Sequence, residues 1–424
     1  MEIRKTFKYR LYPTKAQVEA LDLILWRCRD LYNAGLQERR EAWRLAHKSL
    51  SFYEQSRELP ALKAACPEYK AVPSQVLQDT LRRLDKAFAA FFRRMKAGQT
   101  PGFPRYQRRT RYQSFTYPSA QSWRRDDDRL VLAGVGAVKI RFHRPIEGTI
   151  KTVTIRRDGD QWYVSFSCVL DIAPLPPCDQ AVGIDLGLLH FATLSTGATI
   201  ANPRYLRRAL AKLATAQQQL ARCRRGSHRR HRAKAAVTRL HRQVRHQRSD
   251  FLHQQSRRLV NEYGTIVLED LAIANLSHRP APKVDADATA ATGEPVYTPN
   301  GAAAKSGLNK SILDAGWGQF AQLCAVKAAW AGRQVLFVDP KFTSQLCSQC
   351  GAIHKKTLAE RWHSCACGCE LDRDHNAALN ILRRGTRLRE SSLQGGSSVE
   401  APGFNWGSFT NPHLRFSCTP SNVE

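Results

Sequence analysis

Apolar residues alternate with polar ones at both ends of the first part of the chain. Residues 2–12 have this period of two, and so do residues 114–172, where Asp158-Gly159-Asp160 is typical of a hairpin turn. Because a period of two is typical of half-buried strands, we predict a small β-barrel made from residues 1–13 and 111–173.

Between these strands the apolar period becomes that of amphipathic helices, and we predict a helical insertion over residues 14–110. Thr14 and Gln17 form a T-x-x-Q capping box that marks the start of its first helix. A later helix covers residues 74–95, where apolar residues recur every three or four positions. Its apolar face carries Leu77, Leu81, Leu84, Phe88 and Phe91.

After the Pro-rich linker at residues 174–177, short apolar strands alternate with helical patterns. We expect a strand and hairpin within 181–200, a buried strand within 263–271, a helix over 311–332 and a strand over 334–340. This order predicts a mixed sheet with helices on its faces, so the chain is expected to be an α+β protein of several domains.

The segment from Gly187 to Ser249 contains no Asp or Glu but many Arg and Lys residues. Helical periodicity on both sides of Arg225-Gly226-Ser227 predicts a long basic helical hairpin. Such a pair of helices would repel itself unless it lay along a phosphate backbone. A coiled-coil interaction module is the alternative, but its flanking positions would need acidic residues.

Two further segments lack apolar periodicity. Residues 277–306 are rich in Ala, Pro, Asp, Gly and Thr, and we predict a flexible insertion there. Residues 385–424 turn to Gly, Ser, Pro and Asn, which predicts a disordered tail.

The net charge of the chain indicates what kind of partner it binds. The sequence has 66 Lys and Arg against 36 Asp and Glu, a formal charge of +30. Nucleic acid is the first candidate polyanion, and an anionic membrane surface is the second. With neither a signal peptide nor an apolar run long enough to span a bilayer, we expect a cytoplasmic, nucleoid-associated protein of a bacterium or archaeon. Its cysteines are then expected to be thiols or zinc ligands.

Basic and aromatic residues interleave over 102–118, next to the basic face of the helix over 74–95. Aromatic rings can stack on bases while Arg and Lys meet phosphates, although a solvated face is the alternative for any one helix. Glutamine amides on that helix could read adenine edges. The candidate nucleic-acid contacts are Gln75, Gln78, Arg82, Lys86, Arg105, Tyr106, Arg109, Arg229 and Arg230.

A cluster of cysteines near the end of the chain has the spacing of a zinc site. Cys347 and Cys350 form C-x-x-C, and Cys365, Cys367 and Cys369 follow within one loop. Two such pairs can close a tetrahedral site for one structural Zn²⁺. We predict Cys347, Cys350, Cys365 and Cys367 as ligands, with Cys369 as the competitor of Cys365.

Three acidic residues stand at points where α/β sheets place their sites. Asp185 lies in an apolar strand, Glu269 ends another, and Asp374 begins the last helix. Asp185 facing water from an edge strand and Asp374 acting only as a helix cap are the alternatives. Three converging carboxylates can hold two Mg²⁺ ions about 4 Å apart for phosphodiester hydrolysis, so these three are predicted to be both catalytic and metal-binding. Asp372 is closer to a helix cap.

The motifs GIDLG, IVLEDL and C-x-x-C-G…C-x-C-G-x-E-L-D-R-D-x-N-A-A-x-N-I together resemble the TnpB family, transposon-encoded relatives of type V CRISPR effector nucleases. The segments FKYRLYPT, GFPRYQRRTRYQSFTYP, RSDFLH and KSILDAGWGQF match the same family, so the resemblance covers residues 1 to about 383. The family usually has C-x-x-C at the second cysteine pair, whereas this chain has Cys365-Ala366-Cys367.

The resemblance implies a β-barrel wedge domain with a helical recognition insertion, followed by a RuvC-like domain of RNase H fold. Residues 178–340 and 372–384 would form the RuvC-like domain, and residues 341–371 a zinc-ribbon insert. It also implies Asp185, Glu269 and Asp374 as catalytic residues, a guide RNA from the transposon end, and cleavage of double-stranded DNA beside a short adjacent motif.

Other functions stay open at this point. A cleavage-inactive RNA-guided DNA binder would keep the fold and lose the acids, yet all three are present. An RNase H-fold transposase would join strands itself, and such enzymes commonly order their acids Asp, Asp, Glu rather than Asp, Glu, Asp. A plain zinc-ribbon binder leaves Asp185 and Glu269 unexplained. Whether the protein is a monomer or a dimer is not decided by the sequence.

Overall fold

The structure is a computed structural model that describes residues 1–289, 294–357 and 359–394. It divides into two compact units, Met1–Ile172 and Ala173–Glu424. The linker predicted from the Pro-rich sequence at 174–177 lies at the start of the second unit.

The first unit contains a seven-stranded antiparallel sheet in the order β2-β6-β7-β1-β5-β4-β3. Buried and exposed residues alternate along β1, as the period of two predicts. Gly159, with a φ of +65°, lies in the two-residue turn between β6 and β7, which confirms the predicted hairpin. The strands are β1 (Glu2–Tyr12), β2 (Ser114–Tyr117), β3 (Trp123–Asp126), β4 (Arg129–Leu132), β5 (Gly136–Arg141), β6 (Thr149–Asp158) and β7 (Gln161–Asp171).

This sheet curls into a nearly closed barrel. Its two edge strands, β2 and β3, are joined by residues 118–122 alone, so the edges must lie close together. Tyr117 at the end of β2 donates a 2.9 Å hydrogen bond from its hydroxyl to the carbonyl of Ala133, beyond β4. Phe7, Tyr9 and Phe166 fill the interior with side chains that are almost fully buried.

The chain between β1 and β2 forms helices that pack their apolar faces together. The first helix begins at the predicted capping box, in which Gln17 N–H donates to the Thr14 hydroxyl and Thr14 N–H donates to the Gln17 side chain. Leu21, Leu25 and Leu81 are buried at the helix contacts. The helices are α1 (Lys15–Ala46), α2 (Phe52–Arg57), α3 (Leu59–Ala65) and α4 (Ser74–Lys96).

The second unit is built on a five-stranded mixed sheet in the order β10-β9-β8-β11-β14. The first three strands run antiparallel to one another, and β8, β11 and β14 run parallel. The strand that carries Asp185 is the central one. The strands are β8 (Ala181–Leu186), β9 (His190–Leu194), β10 (Thr199–Ala201), β11 (Thr265–Glu269) and, further along the chain, β14 (Gln334–Val338).

The predicted basic helical hairpin is present as α5 (Tyr205–Arg222) and α6 (His228–Glu262), joined at Gly226. The described residues of this unit form four further helices. They are α7 (Ile273–Leu276), α8 (Ala302–Ala315), α9 (Trp317–Ala331) and α10 (Arg373–Gln394).

Three predictions from the sequence differ from the structure. The single helix expected over 311–332 is two helices, because Gly316 adopts a φ of +73° between α8 and α9. The insertion at 277–306 contains a hairpin of β12 (Lys283–Thr289) and β13 (Pro295–Thr298), too short to show a period, as well as the start of α8. Residues 385–394 are helical as the end of α10, and the remainder of the predicted tail lies outside the described residues.

The cysteine-rich segment forms a small hairpin of β15 (Trp362–Ser364) and β16 (Glu370–Asp372) just before α10. In the described part of the chain, we find no helix with the length and apolar character to cross a bilayer.

Candidate active site and zinc-binding cluster

Asp185 and Glu269 are neighbours across two parallel strands. The register of β8 and β11 pairs Ile184 with Leu268, and the acids are the next residue on each strand. Both therefore stand at the carboxyl end of the parallel part of the sheet, where α/β sheets commonly bind ligands.

Helix α10 covers the face of the sheet to which both acids point. Gly183 and Val267, two residues before each acid, face the same side because side chains alternate along a strand. A Cβ at Gly183 would lie 2.2 Å from the carbonyl oxygen of Ala378 in α10. The glycine thus lets the helix backbone approach β8, and Val267 belongs to the same buried apolar cluster as Ile381 of that helix.

Asp374 lies in the first turn of α10, where the helix reaches the end of β8. A Cβ placed on Gly187 would lie 3.9 Å from its Oδ2. The backbone N–H groups of Asp374 and His375 donate to Asp372 Oδ1 over 2.9 Å and 3.2 Å. The helix cap is thus Asp372, which leaves the Asp374 carboxylate available at the site.

The pKa of Asp185 responds to the charges of the other two acids. Burial and the negative charges of Glu269 and Asp374 hold the pKa of Asp185 well above its usual range, against the opposing charge of Arg373. Burial also raises the pKa of Glu269, while the hydrogen bond from Thr343 and the charge of Arg384 act against that rise. Such a cluster of like charges is stabilised by a cation.

The donor set fits divalent metal ions with a preference for oxygen ligands. Asp185, Glu269 and Asp374 offer six carboxylate oxygens at one edge of the sheet, and Mg²⁺ is held by few carboxylates plus substrate oxygens and water. In the described residues, the groups whose ligand atoms all lie within 4.8 Å of one another are made by cysteines and His363 of the insert, and the three acids do not form such a group.

Thr343, Asn376 and Asn380 support this site, although no motif in the sequence indicates their roles. Thr343 Oγ1 donates a 2.6 Å hydrogen bond to Glu269 Oε1. The buried amide of Asn380 donates to the carbonyls of Thr343 and Leu346 over 2.9 Å and 2.7 Å. Asn376, one turn earlier, donates to the Leu346 carbonyl and accepts from Ser348 N–H. The available signal was the pair of asparagines at i and i+4 within an apolar helical pattern.

The four predicted zinc ligands lie together in the insert. Cys347 Sγ is 3.6 Å from Cys367 Sγ, and Cys350 Sγ is 3.5 Å from Cys365 Sγ. Four sulfurs around a tetrahedral zinc at about 2.3 Å would stand about 3.8 Å apart. All four ligand atoms lie within 4.8 Å of one another, so this cysteine cluster can bind one zinc ion.

Cys369 belongs to a second group, with Cys347 and His363, in which all three side chains are buried. Burial opposes ionisation of Cys347, but hydrogen bonds from the backbone amide of Cys350, the side chain of His363 and the backbone amide of Gln349 lower its pKa to about 5. A thiolate is the form that binds zinc, so Cys347 is prepared as a ligand in either group.

The predicted nucleic-acid residues divide into two sets. Gln78, Arg82, Lys86, Arg105, Tyr106, Arg109 and Arg229 are exposed, and the guanidinium groups of Arg82 and Arg109 lie over the rings of Phe52 and Trp26. Gln75 is half-buried and hydrogen-bonds to the side chains of Gln121 and Ser122.

Arg230 and Arg83 serve the fold. The Arg230 guanidinium donates to the carbonyls of Leu220 and Cys223, which ends α5. Arg83, part of the basic face of α4 in the sequence, binds Asp79 and the carbonyl of Ser114 on β2. A helical pattern shows which side of a helix is basic, but it cannot show that a strand covers part of that side.

Three segments of the chain match models of known families. Residues 164–279 match a family described as "Probable transposase", and residues 317–381 match one described as "Cas12f1-like, TNB domain". Residues 1–48, which hold β1 and α1, match a "Helix-turn-helix domain".

Two bacterial relatives resemble the chain over most of its length. A Streptomyces pristinaespiralis protein is 36% identical over 423 residues, which cover 94% of this chain and 96% of that protein. The InsQ protein of Escherichia coli K12 is 31% identical over 390 residues, with 91% and 93% covered. Both are named "Putative RNA-guided DNA endonuclease". A Cas12f1 solved with sgRNA and target DNA matches 90% of this chain and 98% of its own at 12% identity and a TM-score of 0.49.

Proposed function

Because the chain belongs to the TnpB family, we propose that it is an RNA-guided DNA endonuclease. The names of the two bacterial relatives support this function, and their similarity extends through both units of the chain. The excess of positive charge suits a protein with two nucleic-acid partners. Its guide RNA would come from the transposon end, and its target would be double-stranded DNA.

One observation carries the nuclease assignment. Asp185 and Glu269 lie side by side near the carboxyl ends of adjacent parallel strands, under a helix whose first turn presents Asp374. The raised pKa of Asp185, due to burial and then to the other two acids, supports a shared site rather than three separate surface carboxylates. We therefore assign these three residues as the catalytic acids of a RuvC-like site.

Asp185, Glu269 and Asp374 would hold two Mg²⁺ ions. When bound, such ions lower the pKa of a water nucleophile and stabilise the leaving oxygen of a phosphodiester. The protein's own contribution is to hold the carboxylates in place. Thr343 holds Glu269, and the Asp372 cap fixes the turn that carries Asp374.

The remaining parts of the chain have roles in the same proposal. The barrel and the helices over 14–110 would form the wedge and recognition domains that contact the RNA and a short motif beside the target. Base pairing with the guide would select the sequence, while the protein reads the backbone and the motif. The insert over 341–371 would hold one structural zinc through Cys347, Cys350, Cys365 and Cys367.

The test of this function is cleavage of a plasmid library with randomised sequence beside a target matched to the copurified RNA. Sequencing that RNA identifies the target. We expect Mg²⁺-dependent cleavage of the subset of plasmids that carry one adjacent motif, and loss of cleavage after RNase treatment. Cleavage that persists without RNA would contradict the guided function while leaving the nuclease assignment in place.

A transposase is the second candidate, since residues 164–279 match a family described as "Probable transposase". A strand-transfer assay with transposon-end DNA and no RNA separates the two functions. Joined products in that assay, with no cutting of the guided target, would favour the transposase. A cleavage-inactive guided binder would retain target binding in the same library without cutting it.

A further inference from the structure

The first unit contains a large cleft between α1, α4 and the chain that follows α4. Its volume is about 860 Å³, more than a single nucleotide needs. Six aromatic side chains line this aromatic cleft, together with basic residues of α1. The aromatic residues are Trp43, Phe88, Phe91, Phe92, Phe103 and Tyr106.

A buried arginine in the lining of this cleft has an unused donor. Arg39 is 8% exposed, and its Nε and Nη1 atoms bond to Gln55 at 2.8 Å and to Asp85 at 3.1 Å. Its Nη2 atom is buried and has no hydrogen-bond partner. A guanidinium fixed by two bonds with a third donor unmatched is costly unless a ligand supplies an acceptor.

The walls around Arg39 are aromatic rings arranged edge to face. Phe103 meets Phe88 and Phe91 with ring centroids 5.6 Å and 5.3 Å apart, and the guanidinium of Arg39 lies 5.3 Å from the Phe88 ring centre. Phe92 and Phe103 are still 48% and 45% exposed. Exposed aromatic faces beside a buried donor fit a flat, polar-edged ligand better than a purely apolar one.

The charges around the cleft favour an anionic chain. Arg39, Arg40, Arg44 and Lys48 line it against Glu41 and Asp85. Asp85 is paired with Arg39, and Lys48 is paired with Glu54 outside the cleft. Arg40 lies over the Tyr106 ring, 5.5 Å from its centre, and Arg44 is exposed at the rim.

We propose that the aromatic cleft binds an unpaired nucleobase of a nucleic-acid strand. The base stacks on the phenylalanine rings, and Arg40 and Arg44 meet the adjoining phosphates. The side chains that cover the buried Arg39 Nη2 move aside, so that this atom donates to an oxygen or ring nitrogen on the base edge. The base must be unpaired, because a base within a duplex has both faces stacked and its edge already hydrogen-bonded. This inference rests on the proposed function, because it requires a nucleic-acid partner. It adds a binding site for a base that is not base-paired.

The test compares strands with and without bases. The full chain, freed of copurified nucleic acid, is titrated without Mg²⁺ with labelled 12-nucleotide single strands and abasic strands of equal length. RNA and DNA arms show which strand supplies the base. We expect the base-containing strand to bind at least about fivefold more tightly than its abasic match. Equal binding of the two by the wild-type protein, or binding of neither, overturns the proposal.

The variants separate this cleft from other aromatic surfaces. The double variant Phe92→Ala/Phe103→Ala should bind base-containing strands at least about fivefold more weakly and abasic strands as the wild type does. Tyr53→Ala, at an aromatic residue 74% exposed outside the cleft, is the matched control and should bind like the wild type. An equal loss for both strands in the double variant contradicts base binding.

Arg39→Lys removes the free donor and should weaken binding of base-containing strands alone. Because Arg39 is buried, the melting temperature of this variant must first be shown to match that of the wild type. If it does not match, the test rests on the double phenylalanine variant. Sedimentation measures the oligomeric state of both variants and so tests whether a second copy of the chain, and not a base, fills the cleft. A change of oligomeric state with unchanged preference for base-containing strands would make the cleft a protein interface and refute the proposal. If guided cleavage is present but this preference is absent, the cleft proposal alone fails.

Discussion

Thr343 donates a 2.6 Å hydrogen bond to Glu269, and its own carbonyl accepts one of 2.9 Å from Asn380 of α10. The helix that carries Asp374 in its first turn therefore also positions the residue that holds Glu269. The same helix anchors the start of the cysteine-rich insert through Leu346 and Ser348. The insert and the acids are thus supported by one element, although zinc and catalysis are chemically separate.

Thr343→Val should shift the pH dependence of cleavage. Burial raises the pKa of Glu269 and the hydroxyl of Thr343 opposes the rise, so removing the hydroxyl moves that pKa further upward. A carboxyl with a higher pKa stays protonated to a higher pH, so activity is lost over a wider acidic range. We expect the acidic limb of the rate profile to move to higher pH.

Thr357→Val is the control for this measurement, since Thr357 bonds to Glu360 on an exposed surface. Its profile should match that of the wild type. An unshifted acidic limb in Thr343→Val would show that the hydroxyl does not influence the ionisation that limits cleavage.

Asn380→Ala should destabilise the protein and impair cleavage together. Its amide serves two carbonyls and is 3% exposed, so its removal leaves both acceptors without this donor. We expect the free energy of unfolding to fall by about 2 kcal/mol or more. Chemical denaturation measures this loss, with Asn261→Ala on the exposed side of α6 as a variant expected to match the wild type. Equal stability of the two variants would contradict the anchoring role.

Gly183→Ala should separate α10 from the sheet. The new methyl group would lie 2.2 Å from the Ala378 carbonyl oxygen and 2.6 Å from the Leu382 nitrogen, and neither backbone atom can move alone. We expect a loss of about 1–3 kcal/mol in the free energy of unfolding, with cleavage falling too. Gly307→Ala within α8 meets no atom within 4 Å and should be neutral or slightly stabilising. If both substitutions changed the free energy of unfolding equally, the fold would not require a glycine at position 183.

Zinc content should distinguish the two cysteine groups. We expect one zinc per chain in the wild type and in Cys369→Ser, and clearly less in Cys365→Ser and Cys367→Ser, by atomic emission of the purified protein. The reason is the cage of four sulfurs around one point, which Cys369 does not join. Zinc retained in Cys365→Ser but lost in Cys369→Ser would instead assign the site to Cys347, His363 and Cys369.

The sequence was sufficient for elements with a clear period and for acids attached to them. Asp185 and Glu269 could be assigned to strands because the first lies within an apolar run and the second ends one, and the structure gives those strands as neighbours. The capping box at Thr14 was readable because both partners lie within one turn. Local patterns of this kind can be recognised because all the residues involved lie close together in the sequence.

The hydrogen bonds that support the site could not be predicted from local sequence patterns. Thr343 and Glu269 are 74 positions apart, and no local pattern joins them. Arg83 and Arg230 have the pattern of solvated basic residues, yet each is used inside the fold because a strand or a helix end lies next to it. The free donor of Arg39 depends on the positions of Gln55 and Asp85, which the spacing of apolar residues does not show.

Cleavage of a guide-matched plasmid by Asp185→Asn tests the central claim most directly. The substitution keeps the size of the side chain and removes the charge that a divalent ion needs. With Mg²⁺ and the copurified RNA, we predict that this variant binds the target but does not cut it, whereas Asp250→Asn on the exposed surface of α6 cuts like the wild type. Cutting by Asp185→Asn at the wild-type rate, or wild-type cutting that persists in EDTA, would contradict a metal-dependent site at Asp185, Glu269 and Asp374.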